Sequence, residues 1–285
     1  MSLAPPDPAV TRRAVTAALA EDLGPSGDVT TRATVPADRK ARATFVAREA
    51  LVLAGLPVAV EVLRQVDPAI VPRLLASDGN AVAGSSVVLE ATGPARGLLE
   101  AERTALNFLQ RLSGIATATR LAVEEIAGTG AIVLDTRKTA PGLRDLDKYA
   151  VAAGGGVNHR MGLFDAVMIK DTHLGAAGSL AGAIRRCLEA GHPKERITAE
   201  VRTPDELDEA IAAGAGRALL DNMPVAVLSE CVRRGKGRIV LEASGGLRPG
   251  GLRAVAETGV DALSLGYLTH SARAADLAMD LEALP

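Results

Sequence analysis

"ITAEVRTPDELDEAIAAGAGRALLD" occupies residues 197–221. It opens on an apolar, partly β-branched run, ITAEV, which reaches a charge at Glu200. TPDELDEAIAAG follows with helical spacing, and a second apolar run, RALLD, closes on Asp221. Strand, helix and strand with no hairpin turn between them describe a parallel pair joined by a covering helix. The same rhythm recurs in both directions, in AIVLDT (131–136), AVMIK (166–170), RIVLE (238–242) and VDALSLG (260–266). Helical segments such as GSLAGAIRRCLEAG (178–191) and VAVLSECVRRG (225–235) separate them. Near-continuous apolar strands alternating with helices predict a parallel sheet covered on both faces. Six such runs between residues 131 and 266 fit a β/α barrel or an open doubly wound sheet. A barrel is expected, because no glycine-rich dinucleotide fingerprint follows the first run.

Upstream of residue 131 the pattern differs. DPAVTRRAVTAALAEDLG (7–24) predicts a helix capped by Asp7, with Pro8 at its first position and Gly24 at its end. ARATFVARE (41–49) and SSVVLEATG (85–93) look like strands, and LPVAVEVLRQV (56–66) like a helix. These form a small α+β unit. A long helical stretch covers 95–128, with Leu98, Leu99, Glu102, Ala105, Leu106, Leu109 and Leu112 on a mostly apolar stripe. Arg103, Asn107 and Gln110 share a polar face. Ser113-Gly114 is expected to break or kink this helix.

Composition excludes several classes of function. With 32 basic against 34 acidic residues and a net charge of −2, the chain carries no global field for nucleic acid or an anionic membrane. Aromatics make up 2% and Trp is absent, which removes the stacking platform of single-strand binders. Cys187 and Cys231, the two cysteines, lie in helical patterns and read as reduced thiols. No apolar run approaches the roughly 18 residues of a membrane span, and the first ten residues lack a signal peptide's charged start and apolar core. The chain is therefore expected to be cytoplasmic.

Barrel enzymes keep their chemistry where the strands end. In order, the expected strand ends carry Asp135, Arg137 and Lys138; Lys170 and Asp171; Glu200; Asp221 and Asn222; Glu242 with Ser244-Gly245-Gly246; and Gly266. Every unit delivers a charge or a glycine at the same point. The turns EASGGLRPGG (242–251) and LSLGYLTHSA (263–272) each lead toward a helix and suit a phosphate held by backbone N–H groups. Arg137, Lys138, His159, Arg160 and Lys170 add a local positive patch. They belong largely to one stretch, DTRKTAPGLRDLDKYAVAAGGGVNHR (135–160), which also holds Arg144, Lys148 and Gly154-Gly155-Gly156. The expectation is that all these cations face a multiply charged anion while the glycines let the backbone fold tightly beside it. Glu200 and Asp221 would be wasteful in a pure anion trap; they suit a metal ion or ribose hydroxyls.

EDLGPSGDVTT, ERTALNFLQRLSGIAT, DTRKTAPGLRDLDKYAV, GGGVNHRMGLFDAVMIKD, LLDNM, LEASGG and GVDALSLGYLTHS appear in this order between about residues 20 and 271. Together they resemble the quinolinate phosphoribosyltransferase family, which is also called carboxylating nicotinate-nucleotide pyrophosphorylase. The resemblance implies an α/β chain of the type II phosphoribosyltransferase fold, with an N-terminal α/β sandwich over 1–112 and an incomplete β/α barrel over 113–270. A C-terminal helix over 271–285 is expected to pack on the sandwich. The implied reaction joins quinolinate to phosphoribosyl pyrophosphate, giving nicotinate mononucleotide, pyrophosphate and carbon dioxide with Mg²⁺, a step of NAD biosynthesis. The implied working unit is a homodimer in which Arg103 acts on the neighbouring site.

Carried over by motif, Thr136, Arg137, His159, Arg160 and Lys170 meet quinolinate, with Lys138 toward the phosphoribosyl group. Lys138, Lys170, Glu200 and Asp221 form the implied catalytic set. Glu200 and Asp221 hold the ribose hydroxyls and Mg²⁺-pyrophosphate, with the metal reached directly or through substrate. Ser244, Gly245, Gly246 and Gly266 hold the 5′-phosphate, and His270 stands beside it. Thr172, Arg202 and Tyr267 depart from the pattern expected of relatives. The rival readings are a paralogue with another acceptor, an aldolase using Lys170 as a Schiff base, and an anion-binding protein without turnover.

Overall fold

The computed structural model describes residues 3–285. In chain order the first elements are α1 (Pro8–Leu23), α2 (Val29–Thr34), β1 (Lys40–Ala47), β2 (Leu51–Val52) and α3 (Leu56–Val66). Next come β3 (Val71–Leu74), β4 (Ala81–Val82), β5 (Val87–Pro94) and the long α4 (Ala95–Glu125). The second half runs β6 (Ile132–Leu134), α5 (Arg144–Gly154), β7 (Val167–Ile169), α6 (Asp171–Ala177), α7 (Leu180–Glu189) and β8 (Ile197–Val201). It continues with α8 (Pro204–Ala213), β9 (Arg217–Asp221), α9 (Val225–Gly235), β10 (Val240–Ser244), α10 (Leu252–Ala256), β11 (Ala262–Ser264), α11 (Tyr267–His270) and β12 (Leu277–Ala283).

Two compact units emerge. The first comprises the described residues up to 120, 139–155 and 269–285; the second comprises 121–138 and 156–268. The first unit runs on to residue 120, within α4, and the chain returns to it twice.

In the first unit an antiparallel sheet runs β12–β1–β5–β3. Phe45 of β1, Leu89 of β5 and Leu63 of α3 are fully buried in its core. Asp7 caps α1 as expected, accepting from the Ala9 N–H at 2.7 Å, and the Gly24 N–H closes the helix on the Ala20 carbonyl. Two expectations fail here. The helix foreseen over 271–285 is instead β12, paired residue by residue with β1 from Ala41↔Ala283 to Ala47↔Leu277. Ala, Leu, Met and Glu favour a helix locally, but the open edge of β1 offers a full ladder of hydrogen bonds. Nor does α4 break at Ser113-Gly114. The Ser113 hydroxyl donates to the Ala54 carbonyl and accepts from the Ala54 N–H, both at 3.1 Å, so its polar group is satisfied without leaving the helix. Gly114 makes room for the carbonyl of Arg273, which a methyl group there would strike.

The second unit is a six-stranded parallel sheet in the order β6–β11–β10–β9–β8–β7. All six strands expected from the apolar runs are present. Among the described residues β6 and β7 form the two edges without pairing to each other, which makes the barrel incomplete. A single parallel bridge, Leu134↔Val157, extends the sheet at the β6 edge. Among the described residues, no helix is long and apolar enough to cross a membrane.

Candidate active site

Because the six strands are parallel, their C-terminal ends lie together, and a cavity of about 490 Å³ opens there. Asp135, Thr136, Arg137 and Lys138 follow β6, and Lys170 follows β7. Glu200 comes from β8, Asp221 and Asn222 from the end of β9, and Ser244, Gly245 and Gly246 from the end of β10. His159 and Arg160 enter from the segment after α5, while Met168, Leu219, Glu242 and Ser264 complete the wall. Eleven expected site residues therefore meet in one cavity: Thr136, Arg137, Lys138, His159, Arg160, Lys170, Glu200, Asp221, Ser244, Gly245 and Gly246.

Arg103, Gly266 and His270 are not among the residues lining it. Arg103 lies on α4 in the first unit with its side chain 58% exposed, 3.8 Å from Glu102. Gly266 follows β11 in the second unit. His270 ends α11 in the first unit, exposed, with its Nδ1 2.5 Å from the Ser271 hydroxyl.

Arg144 and Lys148 also leave the expected cluster. Both lie on α5, and residues 139–155 belong to the first unit, where Lys148 is fully buried. Beside it the buried Asp147 takes both arms of Arg111, at 2.9 and 2.7 Å, and the Ala140 N–H at 3.0 Å. Gly154 and Gly155 serve this packing, while Gly156 belongs to the second unit. A Cβ on Gly154 would sit 2.4 Å from the Ala116 carbonyl oxygen of α4, and Gly155 ends α5 in the left-handed region at φ 95°.

The cavity's phosphate-like turn is built by conformation. Gly245 has φ 95°, and a Cβ there would strike the Asn222 side chain. Asn222 itself has φ 54°, and its N–H donates to the Ser244 carbonyl at 2.9 Å. Asparagine tolerates that backbone region better than most residues, a signal that could have marked it in the sequence.

Charges around the cavity are of two kinds. At the bottom, Glu242 is fully buried. It accepts from His159 Nε2 at 3.2 Å, from Arg217 Nη2 at 3.3 Å and from the Ser264 hydroxyl. Burial pushes its carboxyl up, but the hydrogen bonds from His159 and Ser264 and the charge of Arg217 outweigh that and hold it below its ordinary value. His159 is gripped from all sides. Its N–H donates to Asp135 at 2.8 Å, and its Nδ1 accepts the Arg160 N–H at 2.8 Å. With Nδ1 accepting, the ring proton sits on Nε2 and points at Glu242. Both ring nitrogens thus have partners inside the protein, while the ring still lines the cavity beside Arg160. Arg160 donates to the Ala166 carbonyl at 3.0 Å, and burial followed by the neighbouring Arg137 pushes its guanidinium below the ordinary value. Two crowded guanidiniums gain by receiving an anion.

Nearer the opening, charges are loosely paired. Lys170 Nζ stands 3.6 Å from Glu200, and Arg202 lies 2.7 Å from Asp171 and 3.9 Å from Asp221. Lys170 is 45% exposed beside Glu200, unlike the desolvated lysine in an apolar pocket that Schiff-base chemistry uses.

Residues 28–113 match the family model described as "Quinolinate phosphoribosyl transferase, N-terminal domain", and residues 115–280 match the corresponding C-terminal domain. The chain belongs to the quinolinate phosphoribosyltransferase family. It is 44% identical to the carboxylating nicotinate-nucleotide pyrophosphorylase of Mycobacterium leprae, over 95% of this chain and 96% of that one. Among solved structures, the nicotinate-nucleotide pyrophosphorylase of Francisella tularensis superposes with a TM-score of 0.92 at 37% identity, covering 99% of each chain. That of Ehrlichia chaffeensis gives 0.90 at 37% identity, over 95% of this chain and 98% of its own. Membership of the quinolinate phosphoribosyltransferase family accounts for the pairing of an antiparallel N-terminal sheet with an open parallel barrel.

Proposed function

We propose that this chain transfers the phosphoribosyl group of phosphoribosyl pyrophosphate to quinolinate and releases carbon dioxide, forming nicotinate mononucleotide and pyrophosphate for NAD biosynthesis. The observation that carries this reading is the single cavity where Arg137, Lys138, Arg160 and Lys170 face Glu200, Asp221 and the Ser244-Gly245-Gly246 turn. Cations for a dicarboxylate stand beside carboxylates for a sugar and backbone donors for a phosphate.

Arg137, Arg160 and Lys170, with His159 beside them, grip the two carboxylates of quinolinate, the arginines by two-point forks and the lysine as a point charge. Thr136 completes that pocket, and its hydroxyl accepts the Lys138 N–H at 3.0 Å, fixing the turn that carries Lys138 toward the sugar phosphate. Ser244, Gly245, Gly246 and Gly266 hold the 5′-phosphate with His270 nearby. This clamping fixes the pyridine nitrogen against the sugar C1, a positioning task that accounts for much of the rate. The nitrogen lone pair forms the new C–N bond while the C1–O bond breaks and its electron pair leaves on pyrophosphate. The ring nitrogen is then cationic. When the adjacent C–C bond breaks, carbon dioxide departs, the electron pair stays on the ring carbon beside that cation, and a proton from water completes the product.

Mg²⁺ belongs to the same proposal. Among the described residues no group of three or more His, Cys, Asp or Glu forms a metal cage. Glu200 and Asp221 at one cavity do suit an ion that keeps its waters and takes one or two carboxylates plus phosphate oxygens. When bound, Mg²⁺ would offset the charge developing on the departing pyrophosphate.

A homodimer with Arg103 reaching the neighbouring site, in the cytoplasm, completes the reading. Its support is the exposed guanidinium of Arg103, which does not line its own chain's cavity. The decisive test measures carbon dioxide released from carboxyl-labelled quinolinate. Release is expected only with both phosphoribosyl pyrophosphate and Mg²⁺; release without the sugar donor, or none with it, overturns the reading. Mixing inactive Arg103→Ala with inactive Lys170→Ala chains should restore part of the activity, and no recovery after verified subunit exchange rules out the shared site.

A further inference from the structure

Arg202 stands outside the roles described so far. It follows β8 directly, where Glu200 supplies a cavity wall, yet it is not itself a lining residue. Its backbone N–H donates to Glu206 at 2.6 Å, which fixes where the side chain starts. Its Nη2 donates to Asp171 at 2.7 Å, and its Nε lies 3.9 Å from Asp221, too far for a hydrogen bond. The side chain remains 55% exposed.

Charge balance at this rim is unfavourable to an anion. Asp171, Glu200 and Asp221 present three carboxylates from three successive strand ends, and the local cations are Lys170, 3.6 Å from Glu200, and Arg202. The Asp171 hydrogen bond and charge, followed by Asp221 and Glu200, push the Arg202 guanidinium above its ordinary value, so the side chain feels all three. The three carboxylates and Lys170 sum to −1 with Arg202 and to −2 without it, so Arg202 halves the repulsion that a pyrophosphate approaching Asp221 meets. The 3.9 Å gap to Asp221 leaves the guanidinium held at one end and unspent at the other. Fork geometry matches two phosphate oxygens as well as it matches a carboxylate.

We infer that Arg202 is a further substrate-binding residue of this chain, a rim arm that takes the pyrophosphate group of the sugar donor and of the product through a contact requiring no metal. The inference rests on the phosphoribosyl-transfer reading and adds a contact to it. Asp171 is the parking partner: it holds the guanidinium at 2.7 Å and yields it to the phosphate.

The test is calorimetric binding of inorganic pyrophosphate to the intact protein in EDTA, alongside steady-state kinetics with Mg²⁺. Arg202→Ala should weaken pyrophosphate binding about tenfold, the size of a charged hydrogen-bond pair, and raise KM for phosphoribosyl pyrophosphate while quinolinate affinity stays unchanged. Arg202→Lys should fall between. Asp171→Asn separates the arm from a mere strap between strand ends, because it frees the guanidinium and should preserve or tighten pyrophosphate binding. If Arg202→Ala binds pyrophosphate in EDTA like the parent, or if Asp171→Asn and Arg202→Ala lose binding equally, Arg202 is a strap and the inference is overturned. If the parent neither binds pyrophosphate nor releases carbon dioxide, the reaction itself is wrong, and Arg202 falls with it. Unchanged melting temperatures of the variants confine any effect to the rim.

Discussion

The bottom of the barrel cavity and its rim contain the same kinds of residue, and they use them in opposite ways. At the bottom, Glu242 is fully buried and every partner is committed: His159, Arg217 and Ser264 all point at it. At the rim, Lys170 and Glu200 stand 3.6 Å apart and Arg202 reaches Asp221 only at 3.9 Å, with water on the open side. Charges below are consumed by the fold, and charges above are left available to a ligand. A closed buried network costs several kcal/mol if one member is removed, because the others are stranded without water. An exposed pair contributes about 0–1 kcal/mol to stability, so it can be exchanged for substrate contacts at little cost.

That contrast can be broken most sharply at Glu242. Glu242→Ala removes the buried carboxylate that His159, Ser264 and the partly exposed Arg217 share and should lower stability by about 1–3 kcal/mol, read as a fall in the urea midpoint. A loss below about 1 kcal/mol would show that the bottom network is as loose as the rim.

Lys170→Ala should do the reverse. It removes a cation from the substrate's carboxylates and should reduce kcat/KM on the order of 10²–10³-fold, comparable with losing one preorganised donor to developing charge. Its unfolding midpoint should stay within about 0.5 kcal/mol of the parent. Destabilisation matching that of Glu242→Ala would erase the distinction.

Acid unfolding sharpens the comparison further. The folded Glu242 carboxyl is held below the 4.5 of an unperturbed glutamate. Its stabilisation is therefore fully present above that value and is lost as pH falls through the lower folded value. In that window stability should rise with pH by at most about 1.4 kcal/mol per unit for this one group. Glu242→Gln should flatten this part of the curve, and chemical denaturation between pH 3 and 6 would show it; an unchanged slope would contradict the assigned shift.

The smallest effect belongs to Tyr267. Among the described residues its buried hydroxyl finds no hydrogen-bond partner, and burial, with Glu125 nearby, pushes it up to about 12. Tyr267→Phe removes an unsatisfied group and should be neutral or stabilising by about 1 kcal/mol. Marked destabilisation would reveal a partner for the hydroxyl.

Much of the site was legible because its residues follow apolar runs. Once six runs are parallel strands, Lys170, Glu200, Asp221 and Ser244 must gather at one end, whatever the surrounding packing. Lys138, Arg137 and Arg160 were legible as cations dense beyond what a solvated loop requires. The hydrogen bond of His159 to Glu242 was not legible, because nothing in the sequence places residue 242 beside residue 159. Arg144, Lys148 and the glycine triplet shared a stretch with site residues, and proximity in sequence suggested a shared task. Tertiary packing divides them: α5 joins the first unit, and Gly154 is glycine because α4 passes too close for a side chain.

By itself the amino-acid sequence determined the alternation of strands and helices, the direction of the six barrel strands and the chemical types brought to their ends. These follow from periodicity and short-range sterics, which depend on neighbours a few residues away. Only the tertiary structure decided that residues 139–155 leave the barrel, that the last strand pairs with β1 from the far end of the chain, and which charges are spent inside the fold. Such outcomes depend on which edges and faces remain open after everything else has packed. Local propensity carries no record of that, as a helix-favouring tail drawn into β12 demonstrates.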